Sequence, residues 1–250
     1  MSLRYITTFS LLFSSLLAGQ TAILHKAKAL LDQPSGRQEA ESLLADAVHQ
    51  FEKQGAKTDE AAEAMLLLGM VRNPALVKNK EGLESQVEPL ARKALEIRRN
   101  NPDTKAADLA SALEFDALVL EELGRIDDSR DPKAKAREIR DQIMSAMQPP
   151  QDDLASPMHI GGAVKPPMLM ARSEPHLTFY ARVLMLQPEV LAELVIGADG
   201  NITHVEMFKP AGFGLDESAL QALMQWRFKP AQKGGVPVAV EGNLKLRFQP

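Results

Sequence analysis

Cysteine is absent from all 250 residues. Disulfides, thiolate metal sites, a lipid anchor on cysteine and a cysteine nucleophile are thereby excluded. An excess of one charge is lacking too: the formal net charge is −4, which leaves no electrostatic footprint for nucleic acid. Basic and acidic residues number 20 and 25 up to residue 163 and 9 and 8 beyond it, so neither part is a charged tail. Aromatic residues make up 5% of the chain, and its one Trp, Trp226, is expected in a core rather than as a ligand platform. Catalytic constellations are missing as well. His25, His49, His159, His176 and His204 stand at spacings that put no two on one helix turn, which argues against a zinc site. Asp127, Asp128 and Asp131 lack the glycine and terminal glutamate of a calcium loop. No glycine-rich loop ends in Lys-Ser or Lys-Thr, and Ser173 with His176 lacks the Gly-x-Ser-x-Gly elbow of a hydrolase. No catalytic residue, metal or cofactor is expected, and the chain does not read as an enzyme.

Long apolar runs are absent apart from the beginning. Met1–Ala22 reads as an export signal, with Arg4 as its positive region, Tyr5–Leu17 as a short apolar core, and small residues at Ala18, Gly19 and Ala22. It is short and hydroxyl-rich for a bilayer span. A cleaved signal is therefore favoured over a retained inner-membrane anchor, and a periplasmic location is the expectation.

What the chain does contain is enough apolar material, 45% of its residues, for two small domains. Residues 23–147 are helical in pattern throughout. Ala40, Leu43, Leu44, Ala47, Val48 and Phe51 form one apolar stripe. Asp59 is placed to cap a second helix carrying Ala61, Met65 and Leu68. A third carries Leu83, Val87, Leu90, Ala91, Ala94 and Leu95 and stops before Pro102. A fourth spans Asp103 to Leu123 and ends at Gly124. A fifth is expected to start at Asp131-Pro132, as cap and first-turn proline, presenting Ala136, Ile139, Ile143 and Met147. Leu44-Ala45 recurs as Leu90-Ala91, each near the start of a helix-turn-helix unit ending at Gly69 or Gly124. Residues 90–129, with Asn101-Pro102-Asp103-Thr104 and Leu123-Gly124-Arg125, are similar to a tetratricopeptide-like repeat. A plain helical bundle fits equally, and either arrangement offers a docking surface for a protein partner that the sequence does not name.

Residues 148–163, with Pro149-Pro150, Asp152-Asp153, Pro157 and Gly161-Gly162, have the composition of a linker. Residues 164–250 then change period. Glu189 to Gly197 alternates as a half-buried strand, Asp199-Gly200 supplies a hairpin turn, and Ile202 to Phe208 returns antiparallel. Asp216 is the expected cap of a helix bearing Ala219, Ala222, Leu223 and Trp226. Pro230 and Gly234-Gly235 punctuate the way to a last strand, Val238 to Phe248.

Gly214-Leu215-Asp216-Glu217, Trp226-Arg227-Phe228-Lys229-Pro230 and Gly234-Gly235-Val236-Pro237-Val238, in that order after a hairpin, resemble the C-terminal domain of the TonB family. So does the lead-in, Val164-Lys165-Pro166-Pro167 and Ser173-Glu174-Pro175 before a short helix from Thr178 to Leu186. The expected fold class is α+β: an all-α tetratricopeptide-like domain, then a small TonB C-terminal-like domain with an antiparallel three-stranded sheet. The resemblance implies binding of an extended, TonB-box-like segment of an outer-membrane receptor by strand addition, with the last strand as the edge. Val240, Glu241, Gly242, Asn243, Leu244, Lys245 and Leu246 would form the pairing ladder, and Arg172, Ser173, Glu174 and Pro175 would lie beside the incoming segment. The protein would serve as adaptor or energy transducer, in the second case with an inner-membrane motor complex as partner. A non-energised periplasmic scaffold is the alternative. An unpaired edge also leaves a homodimer open.

Overall fold

The structure is a computed structural model that describes residues 19–149 and 156–248. Most of the expected export signal thus lies outside the described residues. Two compact units divide the chain, Met1–Pro132 and Lys133–Pro250.

The first unit is helical: α1 over residues 19–31, then α2 (Arg37–Lys53), α3 (Asp59–Leu76), α4 (Lys80–Gln86), α5 (Glu88–Asn100) and α6 (Ala106–Glu122), with α7 (Ile126–Met147) running from this unit into the second. The α2 stripe is buried at Ala40, Leu44, Ala47, Val48 and Phe51. α3 is the centre of the unit, buried continuously from Ala61 to Val71 and packed against α2, α5 and α6. A helix buried all round carries no amphipathic signal, so its stripe of Ala61, Met65 and Leu68 understates what it covers.

Several boundaries differ from the sequence expectation, each for a local reason. Thr58 caps α3 by accepting from the Ala61 N–H, at 3.3 Å, which leaves Asp59 free to meet Arg98 and Thr104. Gly69 does not end a unit; it lies inside α3, where a Cβ would stand 2.8 Å from the Phe115 ring, so glycine sets how closely α6 approaches. The third helix is two, because Pro89, in the first turn of α5, has no N–H to continue the α4 ladder. α7 begins at Ile126 rather than Asp131, and Pro132 lies within it. Asp127 and Asp128 in its first turn favour that start, and Arg125 bridges Asp128 at 2.9 Å and Glu88 at 2.7 Å. Its buried stripe ends on Met144, while Met147 is exposed.

The second unit contains, after α7, β1 (Met158–His159), β2 (Val164–Lys165), β3 (Met168–Ala171), α8 (Phe179–Val183), β4 (Glu189–Ile196), β5 (Ile202–Lys209), α9 (Leu215–Leu223), β6 (Arg227–Lys229), β7 (Ala231–Lys233), β8 (Val236–Val238) and β9 (Val240–Arg247). The main sheet has the order β1-β9-β4-β5. β9, β4 and β5 are the expected antiparallel three, and β1 adds two residues in parallel beside β9. Smaller ladders join β2-β7-β8 and β3-β6. The helical region followed by this sheet is an α+β arrangement.

Val190, Ala192, Leu194 and Ile196 of β4 face one core with Val205 and Met207 of β5, Val240 and Leu246 of β9, and Leu215, Ala219, Leu220 and Leu223 of α9. Met144 of α7 belongs to the same core. Arg140 of α7 pairs with Glu217 of α9 at 2.9 Å, both largely buried. The hairpin turn is a three-residue loop, residues 198–200, since the Gly197 N–H donates to the Asn201 carbonyl at 2.8 Å. Asp199 accepts from the Asn201 N–H at 2.9 Å, and that backbone bond holds its carboxyl below the usual range.

Asp216 is not the cap of α9. Gly214 occupies that position, and the wholly buried Asp216 carboxylate instead accepts from the N–H groups of Ala211 and Gly212, at 2.9 and 2.8 Å. Trp226 lies past the end of α9; its indole N–H donates to the Ser173 carbonyl at 2.7 Å.

Candidate functional site

The side of β9 away from β4 is where an added strand can pair. Along β9, Val240, Gly242, Leu244 and Leu246 stand opposite Ile196, Leu194, Ala192 and Val190. The Met158 N–H donates to the Ala239 carbonyl at 2.9 Å, on the other side. Because backbone groups alternate along a strand, Glu241, Asn243, Lys245 and Arg247 also direct N–H and C=O outward, while the even-numbered residues bond β4. Among the described residues, the strands beside β9 are β1 and β4, and β1 reaches only Val240 and Glu241. Asn243, Lys245 and Arg247 therefore present an unaccompanied ladder.

The opposite edge of the sheet is differently finished. On β5, Val205 donates to the Gln148 side-chain oxygen at 2.9 Å and its carbonyl accepts from the Gln148 amide at 3.0 Å. One glutamine thus imitates a neighbouring residue and closes the middle of that edge.

The outer face of β9 is polar. His159 Nδ1 lies 2.6 Å from Glu241 at one end, and at the other Glu189 meets Lys245 at 2.7 Å and Arg247 at 3.3 Å. Lys245 first, with Arg247, holds the Glu189 carboxyl below its usual range despite its exposure to solvent. A carboxyl with a depressed folded pKa stabilises above its unfolded value, near pH ~4.3, and that contribution is lost as pH falls through the folded value. Protection of β9 amides at the Arg247 end, measured relative to the intrinsic exchange rate at each pH, is accordingly expected to fall in acid, and unchanged protection would show that the pair does not hold the strand end.

Of the residues expected from sequence, the structure puts Val240 to Leu246 on one strand, with two differences. Val240 and Glu241 already carry a neighbour, so the last strand is an open edge only beyond them. Val240, Gly242, Leu244 and Leu246 address β4, so only alternate members can serve a partner. Arg172, Ser173, Glu174 and Pro175 are organised elsewhere. Arg172 pairs with Glu174 at 2.7 Å and lies 5.4 Å from the Trp226 ring centroid, Ser173 holds the indole, and the adjoining His176 N–H donates to Ser218 of α9 at 3.1 Å. None of these bonds goes to β9. Sequence reasoning missed Arg247, although it continues the series 241, 243, 245, and it missed Met158, His159 and Ile160, enclosed between Pro157 and Gly161.

Nothing in the site suggests a metal: among the described residues, no group of three or more His, Asp or Glu stands together to hold one. No described helix is long and apolar enough to cross a membrane.

Residues 179–250 match the family described as Gram-negative bacterial TonB protein C-terminal. Protein TonB of Vibrio cholerae serotype O1 is 34% identical over 86 residues, a match spanning 34% of this chain and 35% of that protein. The matched region takes in β4, β5, α9 and β9, the elements that build and expose the edge. Residues 179–250 are thus a TonB C-terminal domain, preceded in this chain by a helical region.

Proposed function

We propose that the protein is a TonB-like periplasmic adaptor in transport across the outer membrane, and that it takes an extended segment of an outer-membrane receptor as an added strand on β9. One observation carries the reading: within a domain of this family, Asn243, Lys245 and Arg247 direct their backbone groups away from β4 with, among the described residues, no strand beside them. Main-chain bonds on such an edge supply affinity, and the side chains on the two faces supply selectivity.

The test is proline at Lys245. Its N–H is directed outward, so proline there removes a donor to the partner and keeps the bonds to β4, as edge positions allow. Affinity for synthetic peptides copying the periplasmic N-terminal segments of the source organism's receptors is expected to fall about tenfold or more. Unchanged affinity in a variant that keeps its circular dichroism would refute the edge. Leu244→Pro would not serve, because it breaks the β4 ladder itself.

Energy coupling is a separate part of the proposal. Retention of Met1–Ala22 in inner-membrane fractions, read by intact mass, supports a motor-driven transducer. Loss of that segment with recovery in the periplasmic fraction supports a non-energised adaptor whose helical region docks a second protein.

A further inference from the structure

The first rungs of the β9 edge are occupied by the chain itself. Met158 and His159 run parallel to β9, opposite Val240 and Glu241. The Met158 N–H reaches the Ala239 carbonyl at 2.9 Å, and the His159 imidazole lies 2.6 Å from the Glu241 carboxylate. Ile160 closes over Gly242, its Cδ1 lying 3.7 Å from where a Cβ would stand. There the pairing ends: the Val164 N–H donates to the Gly161 carbonyl at 3.0 Å, and the chain turns away so that β2 can pair with β7.

We propose that residues 156–160 are a resident strand that competes with the added strand for β9, so that the adaptor is partly self-occluded until a partner displaces it. The inference rests on the reading of β9 as the partner-binding edge. A strand pairing only with Asn243 to Arg247 abuts Ile160. One that also uses Glu241 must take the backbone groups that Met158 holds and the carboxylate that His159 holds.

The resident is built to be displaced. Its pairing is two residues long, so few backbone bonds hold it, and each such bond is weak once exchange with water is counted. The His159 side chain is 91% exposed, which places its contact with Glu241 in the weak, solvent-screened class. Met158 and Ile160 are also exposed, at 36% and 45%. Being part of the same chain, the strand competes at an effective concentration that does not depend on protein concentration. Only the fraction with a free edge binds at full strength, and apparent affinity is reduced in that proportion.

The experiment compares the full-length protein with Met158→Pro and His159→Ser, titrated with the receptor N-terminal peptides already described. Met158→Pro removes the donor to Ala239 and leaves every β9 residue in place; it is expected to tighten peptide binding about fivefold. His159→Ser removes the Glu241 pair and is expected to tighten it about twofold. In the wild type, amide exchange at Met158 is expected to accelerate on saturation with peptide. Wild-type binding with no gain in either variant and an unchanged Met158 amide overturns the resident strand while leaving the β9 edge standing. No binding by wild type or variants overturns both.

Discussion

Gly200→Ala is expected to destabilise the C-terminal unit by about 3–5 kcal/mol, against about 1 kcal/mol for Gly234→Ala. Both glycines lie in the left-handed region, at φ +86° and +60°. They differ in what surrounds them. A Cβ at Gly234 meets nothing within 4 Å, whereas one at Gly200 would stand 1.9 Å from the Phe228 carbonyl oxygen. That oxygen belongs to backbone which cannot swing aside, since the Phe228 N–H donates to the Gly200 carbonyl at 2.8 Å and β6 pairs with β3. The alanine must therefore part the β4–β5 hairpin from β6. Trp226, the one tryptophan of the chain, lies next to β6 in the same core, so its fluorescence in urea reports the loss directly. Equal costs at the two positions would show that backbone conformation alone, and not the contact with Phe228, makes glycine necessary at 200.

Arg98→Ala is expected to cost about 3–5 kcal/mol in the helical unit, because it leaves a buried carboxylate without its principal partner. Arg98 is 2% exposed; its guanidinium lies 2.5 Å from Glu63, donates to the Asp108 carbonyl at 2.9 Å, and approaches Asp59 at 3.5 Å. Glu63, on the central helix α3, is 5% exposed and has Lys28 at 2.6 Å on its other oxygen. Taking both charges out of water offsets much of their attraction, so the pair is costly to break but cheap to replace whole. The double variant Arg98→Met with Glu63→Met is accordingly expected to be more stable than Arg98→Ala, by urea unfolding followed in the far ultraviolet. A double variant as unstable as the single one would mean that Arg98 acts through the Asp108 carbonyl and its packing rather than through Glu63.

The parts of the fold that could be read from sequence are those where one physical signal dominates. β4 alternates over Val190, Ala192 and Leu194, β5 does so over Val205 and Met207, the two are joined by a glycine with positive φ, and both strands stand where the pattern puts them. The α2 stripe is legible because one face is buried and the other solvated. Where two signals compete, the reading shifts. Asp216 has the residue type of a cap, yet its carboxylate serves the preceding loop, because the cap position falls on Gly214, which takes the left-handed turn into α9 at φ +78°. Asp131-Pro132 has the form of a helix start, but the chain is already helical from Ile126, and the proline is accommodated inside.

The candidate site divides in the same way. The odd-numbered residues of β9 are recoverable from alternation once the strand is placed. Which of them already has a neighbour is not, because a two-residue strand between Pro157 and Gly161 is too short to carry a period. Nor can sequence say that Gln148 closes the β5 edge, since that depends on one side chain meeting a backbone 57 positions away. The lead-in Arg172 to Pro175 shows the converse: its residues match a family pattern, while its bonds tie it to Trp226 and α9.

The edge itself is tested most directly by residue-resolved amide exchange on the full-length protein, with and without a receptor N-terminal peptide. Added-strand pairing predicts slower exchange at Asn243, Lys245 and Arg247, with Gly242 and Leu244 already slow and unchanged. Protection that appears instead along β5, or no change at those three amides when the peptide is bound, would contradict it.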